Sequence, residues 1–108
     1  MPPIKAHGTN GWDLVYYEHA ADSGIDMDFV AIQVSVDGTP GSWITIFDYG
    51  GTQGPSLYNN SSIAGCPQAD NTNIPIACSG GATLIGGTGV GIDIDAAPGV
   101  VNGTSYNY

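Results

Sequence analysis

The sequence contains no arginine and only one lysine, Lys5, against ten acidic residues. The formal net charge is therefore −9 at pH 7 with both histidines neutral. A protein that binds nucleic acid needs a basic surface to neutralise phosphates, and this chain cannot form one. The same shortage of cations excludes electrostatic attraction to an anionic membrane surface. We therefore expect no nucleic-acid partner.

Long hydrophobic runs are also missing. No apolar stretch approaches the ~20 residues that span a bilayer, so membrane insertion is not expected. Charged residues make up 10% of the chain and hydrophobic residues 42%, which indicates a folded chain and not a disordered acidic one. The start, Met1 to Pro3, lacks the charged and apolar regions of a signal peptide, which favours a mature or excised part of a longer precursor.

No helical periodicity is present, and seventeen glycines and seven prolines indicate many turns. Residues 1–11 contain two prolines, two glycines and one isoleucine, and they are expected to form an N-terminal arm. The length of 108 residues suits one core. Residues 12–108 are therefore expected to form a single domain.

Apolar residues in the body alternate with the period of β-strands. Residues 12–18 and 25–38 read as strands, and a turn at 37–41 returns the second strand into 42–50 as a long antiparallel hairpin. Residues 89–96 and 104–108 read as further strands, and 50–89 as loops with short strands. The predicted fold is all-β, an antiparallel two-sheet β-sandwich that is jelly-roll-like. One of its sheet edges is a candidate for being incomplete.

Only two cysteines are present, Cys66 and Cys78, with no CxxC spacing and no histidine nearby. A zinc site needs more ligands than this segment offers. We predict an intrachain disulfide, which would contribute roughly 3 kcal/mol by closing a short loop; two unrelated thiols are the alternative. A disulfide favours an oxidising, extracellular compartment.

Catalytic motifs are not recognisable in the sequence. His7 and His19 are its imidazoles, and neither lies in a motif with a nucleophile. A G-x-S-x-G motif is missing, and with Lys5 as the one cation, stabilisation of a developing anion would require a metal. We therefore expect a non-enzymatic protein.

Two D-x-D patterns are candidate calcium ligands. Asp26 and Asp28 lie in GIDMD, and Asp93 and Asp95 lie in GIDID. On a strand, this spacing places both carboxylates on one face, and two such pairs at a sheet edge could supply oxygen ligands to Ca²⁺. A solvated acidic face explains the same pattern without a metal.

Trp43, Phe47 and Tyr49 fall on one face of the predicted strand 42–50. They could stack against sugars, or they could fill the core, as aromatic residues of small sandwiches commonly do. The other aromatic residues that could join such a platform are Trp12, Tyr16, Tyr17 and Tyr58.

Three asparagines begin N-x-S/T glycosylation tripeptides: Asn59, Asn60 and Asn102. All three lie in segments predicted to be exposed loops. Covalent glycans at one or more of them would help to solubilise a surface with few charges.

The series WDLVYYE, GIDMDFVAIQVSVDG, W-x-x-x-F-x-Y-G at 43–50, D-N-x-x-I-P at 70–75 and TGVGIDIDA at 88–96 resembles repeated β-sandwich modules of bacterial secreted and cell-surface proteins. It is also similar to jelly-roll subunits of extracellular filaments from environmental water samples. The similarity covers most of residues 12–108, and its motifs mark strands and turns. Such modules usually continue into a closing strand, whereas this chain stops at Tyr108.

The resemblance implies a structural subunit of an extracellular glycosylated filament or surface array. A missing closing strand would leave an edge to which a neighbour's arm could add, and the arm residues expected to insert are Ile4, Lys5, Ala6 and His7. The expected partners are copies of the same chain in a head-to-tail polymer. The alternative is a carbohydrate-binding module with or without calcium.

Overall fold

The computed structural model describes residues 3–8, 11–21, 24–51, 57–66, 68–75, 78 and 84–108. Within these ranges the chain forms nine β-strands, one short 3-10 helix and no α-helix. The strands are Ile4–Lys5 (β1), Leu14–Tyr17 (β2), Ala20–Ala21 (β3), Gly24–Met27 (β4), Val30–Val34 (β5), Ile44–Tyr49 (β6), Thr72–Pro75 (β7), Gly89–Ile92 (β8) and Ser105–Tyr106 (β9). No helix in the described part of the chain is long and apolar enough to cross a membrane.

The strand pairs are all antiparallel, and four of them are nested along the chain. β1 pairs with β9, β2 with β8, β4 with β7, and β5 with β6, while β3 adds to the free edge of β4. Nested pairs result when a long hairpin folds over on itself, which is how jelly rolls are connected. The prediction of an all-β antiparallel sandwich is confirmed.

The core is one cluster to which seven of the nine strands contribute. Its largest fully buried side chains are Ile25, Met27, Val34, Ile46, Phe47, Tyr49, Ile63, Ile74, Val90, Ile92, Ile94 and Tyr106. Because Phe47 and Tyr49 belong to this set, the core interpretation of the aromatic residues on β6 is confirmed for these two. Trp43, just before β6, is 42% exposed.

The segment 25–38, predicted as one strand, is two strands in different sheets. β4 ends at Met27 and β5 begins at Val30, with Phe29 exposed between them. β5 itself ends at Val34 because Ser35 begins the turn: its hydroxyl accepts a hydrogen bond from the Gly38 N–H at 2.8 Å. The predicted hairpin is confirmed over β5 and β6, with a register shift after Ile32.

The predicted strand 89–96 is correct only in its first half. β8 ends at Ile92, and the 3-10 helix Ile94–Ala96 follows. Asp93 caps this helix by accepting a hydrogen bond from the Asp95 N–H at 3.1 Å. The predicted strand in 104–108 is present as β9, and Asn107 extends it through a bridge to Ser35.

Cys66 and Cys78 form the predicted disulfide, with their Cα atoms 5.8 Å apart. Cys66 is buried in the core cluster, and Cys78 packs against it. The bridge therefore attaches a segment with few strands of its own to the sandwich. Of the short strands expected in 50–89, Thr72–Pro75 is present as β7.

Candidate functional site

The N-terminal segment, residues 3–8, lies against the body of its own chain. Its side chains alternate as on an edge strand: Ile4 and Ala6 are buried, while Lys5 and His7 are exposed. The arm expected to stand apart from the domain is thus part of it over these residues. The alternation of two apolar side chains with polar ones explains the docking, because one strand face covers the core while the other faces water.

Backbone hydrogen bonds hold this segment to the last strand. Ile4 faces Tyr106 and Lys5 faces Ser105 in the β1–β9 register. The contact continues beyond β1 through Ala6, whose N–H donates to Thr104 at 3.0 Å and whose carbonyl accepts from the Gly103 N–H at 2.6 Å. The sheet edge presented by β9 is therefore closed by residues near the chain's own start.

Gly8 ends the docked segment in a conformation that favours glycine, with φ +72°. A Cβ at this position would lie 2.8 Å from the side-chain nitrogen of Asn102. The Gly8 N–H donates to the Oδ2 atom of Asp95 at 2.6 Å. Gly8 therefore allows the segment to turn close to the body at the point where it meets a carboxylate.

The side chain of His7 lies between two carboxylates of the body. Its Nε2 atom is 3.0 Å from Oδ1 of Asp13, and its Nδ1 atom is 3.3 Å from Oδ2 of Asp95. The side chain of His7 is 47% exposed, whereas those of Asp13 and Asp95 are 1% and 11% exposed. We call these three residues the His7 cluster.

Both aspartates of the His7 cluster belong to the body of the domain. Asp13 lies just before β2, where its N–H donates to Ile92 at 2.9 Å and its Oδ2 atom accepts from the Ile94 N–H at 3.0 Å. Asp95 lies on the 3-10 helix that Asp93 caps. The cluster is thus assembled where the start of β2 meets the end of β8.

Two buried carboxylate oxygens of the His7 cluster receive no backbone N–H from the described residues: Oδ1 of Asp13, whose contact is the His7 ring at 3.0 Å, and Oδ1 of Asp95. Burial raises the pKa of Asp13, and the neighbouring carboxylates of Asp95 and Asp93 raise it further, while the Ile94 N–H and His7 act in the opposite direction. Buried oxygens of this kind call for a donor or a cation.

One open groove adjoins the docked segment, and a second lies along β2. One, with a volume of about 420 Å³, has His7 and Asp13 in its wall together with Trp12. The other, of about 380 Å³, is lined mainly by apolar and aromatic side chains: Leu14, Val15, Tyr16, Tyr17, Ile32 and Tyr108. Trp12, Tyr17 and Tyr108 around these grooves are 48%, 66% and 40% exposed.

The four aspartates predicted as candidate calcium ligands are not gathered at one point. Asp26 lies on β4 and Asp28 follows its end, whereas Asp93 caps the 3-10 helix that carries Asp95. Among the described residues, one group of three possible metal ligands lies close together. Of the four aspartates, this group contains Asp95 and not Asp26, Asp28 or Asp93. Neither D-x-D pair lies on one strand face, because β4 ends at Met27 and β8 at Ile92.

The other two members of the His7 cluster, His7 and Asp13, carry no recognisable signal of a metal site in the sequence. His7 belongs to the predicted arm, and Asp13 lies in a strand-like run with no metal-binding spacing. Only the nested pairing of β1 with β9 and β2 with β8 brings the three residues together, so no local motif marks them.

The predicted glycosylation positions differ in accessibility. Asn59 and Asn102 are exposed, as expected. Asn60 is buried, with 8% of its surface exposed, so the expectation that it lies in an accessible loop was wrong. Its side chain is needed inside the sandwich, where it donates to the carbonyl of Ile46.

No protein-family model, no curated protein and no solved structure matches this chain.

Proposed function

We propose that the chain is a structural subunit of an extracellular assembly, in which the N-terminal segment of one copy docks on β9 of the next. The observation that carries the proposal is the docked segment itself, in which Ile4 and Ala6 are buried against the chain's last strand. An edge of β9 that accepts such a segment within one chain offers the same hydrogen bonds to the segment of another copy.

The exchange costs little free energy, because every hydrogen bond that breaks within a chain forms again between chains. The docked strand pair covers two residues on each side and Ala6 continues it through two backbone hydrogen bonds, so the contacts to be exchanged belong to one short segment. Gly8 and Gly11 both have positive φ and border the connection between the segment and the body. Insertion of each segment into the next copy is head-to-tail, and it produces a polymer when the operation does not close into a ring.

An extracellular location is supported by the disulfide between Cys66 and Cys78, since such bridges persist in oxidising compartments. Asn59 and Asn102 are accessible to glycosylating enzymes. Glycans at these positions would add polar surface to a chain in which charged residues are scarce.

Electron microscopy of the oxidised full-length protein tests the assembly. We expect fibres from the unmodified chain and from Lys5→Asp, and dispersed particles from Ile4→Asp. Lys5 is the matched control, because it is the exposed neighbour of the buried Ile4 on the same strand. Fibres of unchanged repeat from a folded Ile4→Asp variant would show that docking of the segment does not build the assembly.

A carbohydrate-binding role is the second candidate, supported by the exposed aromatic rings of Trp12, Tyr17 and Tyr108 beside the two grooves. Aromatic faces of this kind can stack on sugar rings. Titration with a panel of oligosaccharides tests it. Binding that is lost in Tyr17→Ala and kept in Phe29→Ala, a variant at an exposed aromatic residue that lines neither groove, would favour this role. The absence of binding to any sugar of the panel would leave the structural role preferred.

A further inference from the structure

We propose that His7, Asp13 and Asp95 bind a transition-metal ion of the zinc class, which fastens the N-terminal segment to the body of the domain. The segment contributes the imidazole, and the body contributes both carboxylates. The site is formed whichever copy supplies the segment, so the inference does not depend on the proposed assembly.

The first argument is the arrangement of donor atoms. One donor atom from each of the three residues lies within 4.8 Å of the others. Both ring nitrogens of His7 face carboxylate oxygens. When the imidazole is neutral it has only one N–H, and one of the two contacts then opposes lone pair to lone pair. An ion placed among the three side chains, with bonds of about 2.0–2.2 Å, removes that conflict.

The second argument is independent and concerns the oxygens that would bind the ion. The side chain of Asp13 is 1% exposed, and its Oδ1 atom faces Nε2 of His7 at 3.0 Å without a backbone N–H from the described residues. The Oδ1 atom of Asp95 is buried without a hydrogen bond from these residues. The Oδ2 atoms of the same carboxylates accept backbone N–H groups, from Ile94 and Gly8. Each carboxylate is therefore oriented by a backbone N–H at its Oδ2 atom, while its Oδ1 atom receives no backbone N–H from the described residues, as in metal sites whose ligands are oriented by backbone donors.

The donor set selects the kind of ion. Ca²⁺ and Mg²⁺ bind through oxygen ligands, whereas an imidazole beside carboxylates suits Zn²⁺, Cu²⁺ or Ni²⁺. Three protein ligands leave one position of a tetrahedral ion for water. The groove of about 420 Å³, which has His7 and Asp13 in its wall, gives the ion a route from solvent.

The test is titration of tag-free, chelator-treated protein with Zn²⁺ in a calorimeter, together with thermal unfolding in the presence of Zn²⁺ or Ca²⁺. We expect about one equivalent to bind, and the midpoint of unfolding to rise with Zn²⁺ and to remain unchanged with Ca²⁺. His7→Ala and Asp13→Asn should each weaken binding by more than the ~10–100-fold typical of losing a group that only orients a ligand. His19→Ala is the matched control, because it removes the other exposed imidazole of the chain.

Three results would overturn the proposal. The first is no Zn²⁺ binding to the folded wild type. The second is equal binding by His7→Ala and His19→Ala, which would indicate adventitious binding to surface carboxylates. The third is that His7→Ala unfolds at a lower temperature than the wild type while Zn²⁺ leaves the unfolding midpoint of the wild type unchanged. This result would indicate that a protonated imidazole bridges the two carboxylates directly. Circular dichroism confirms that each variant is folded before it is titrated.

Discussion

The side-chain amide of Asn60 donates hydrogen bonds to two backbone carbonyls at once, that of Ile46 at 2.7 Å and that of Asp93 at 3.1 Å. It therefore connects the middle of β6 to the end of β8. Asn60→Ala should reduce the free energy of unfolding by about 1–3 kcal/mol, because buried carbonyls lose a donor. Asn60→Asp should reduce it more, since a carboxylate would face two carbonyl oxygens.

Urea denaturation measures both effects, and Asn59→Ala is the matched control. Asn59 is the exposed neighbour of Asn60, so its replacement should change the free energy of unfolding by no more than about 0.5 kcal/mol. Equal stability of the Asn59 and Asn60 variants would contradict the structural role given to the Asn60 amide.

Accessibility also predicts which asparagines carry glycans. In material from the natural source we expect modification at Asn59, Asn102 or both, and none at Asn60, because its amide nitrogen is buried and hydrogen-bonded. Glycopeptide mass spectrometry distinguishes the three positions. A glycan on Asn60, or unmodified side chains at all three, would count against this prediction.

Periodicity and turn residues are sufficient to predict the hairpin of β5 and β6, because alternation of side chains specifies a strand and the Asp37–Gly38 pair specifies its turn. Treating residues 25–38 as one strand misses the break at Asp28 and Phe29. The apolar alternation shifts there by one residue, from Ile25, Met27 and Phe29 to Val30, Ile32 and Val34, and this shift marks the point where β4 and β5 enter different sheets. Asp93, by contrast, keeps the alternating pattern of β8 while its side chain caps a 3-10 helix.

The candidate site is less predictable than the fold. Asp95 belongs to a predicted ligand pair, but its partners His7 and Asp13 are supplied by other parts of the chain through the β1–β9 and β2–β8 pairs. Pairing between distant strands is not encoded in any short pattern. The burial of Asn60 escapes prediction for a related reason: a polar residue in a turn-rich run is ordinarily exposed, and only the neighbouring carbonyls explain why this one is not.

The disulfide should contribute substantially to stability. Cys66 and Cys78 are separated by 12 positions, and the loop-closure model assigns roughly 3 kcal/mol to a bridge over so short a loop. Guanidinium denaturation of the wild type and of Cys66→Ser/Cys78→Ser measures the difference. A change well below about 1 kcal/mol would show that the bridged segment does not constrain the unfolded chain as we expect.

Asp37 should make the hairpin turn sensitive to acid. The N–H and the hydroxyl of Thr39 donate hydrogen bonds to its carboxylate. These two bonds, followed by smaller contributions from the hydroxyls of Ser42 and Ser35, lower the pKa of Asp37 to about 2. Since this pKa lies below the unfolded value of about 3.9, the carboxylate stabilises the folded state fully above that value, and the contribution is lost as pH falls towards 2.

The free energy of unfolding of Asp37→Asn should therefore be lower than that of the wild type near neutral pH, and the difference should shrink between about pH 4 and pH 2. Asp28→Asn is the control, because Asp28 is an exposed carboxylate outside this turn. A difference that stays constant across the acid range would exclude a charged Asp37 as the source of the effect.

Exchange of the N-terminal segment is tested most directly by cysteine cross-linking of Lys5 to Ser105, which face each other across β1 and β9. Lys5→Cys and Ser105→Cys are prepared as separate proteins, refolded together with the native disulfide intact, and oxidised. Our account predicts covalent dimers in this mixture and none when Lys5→Cys is mixed with Asn73→Cys, an exposed position on β7. A Lys5→Cys/Ser105→Cys double variant that cross-links only within one chain, with no covalent dimer from the mixed single variants, would contradict the account.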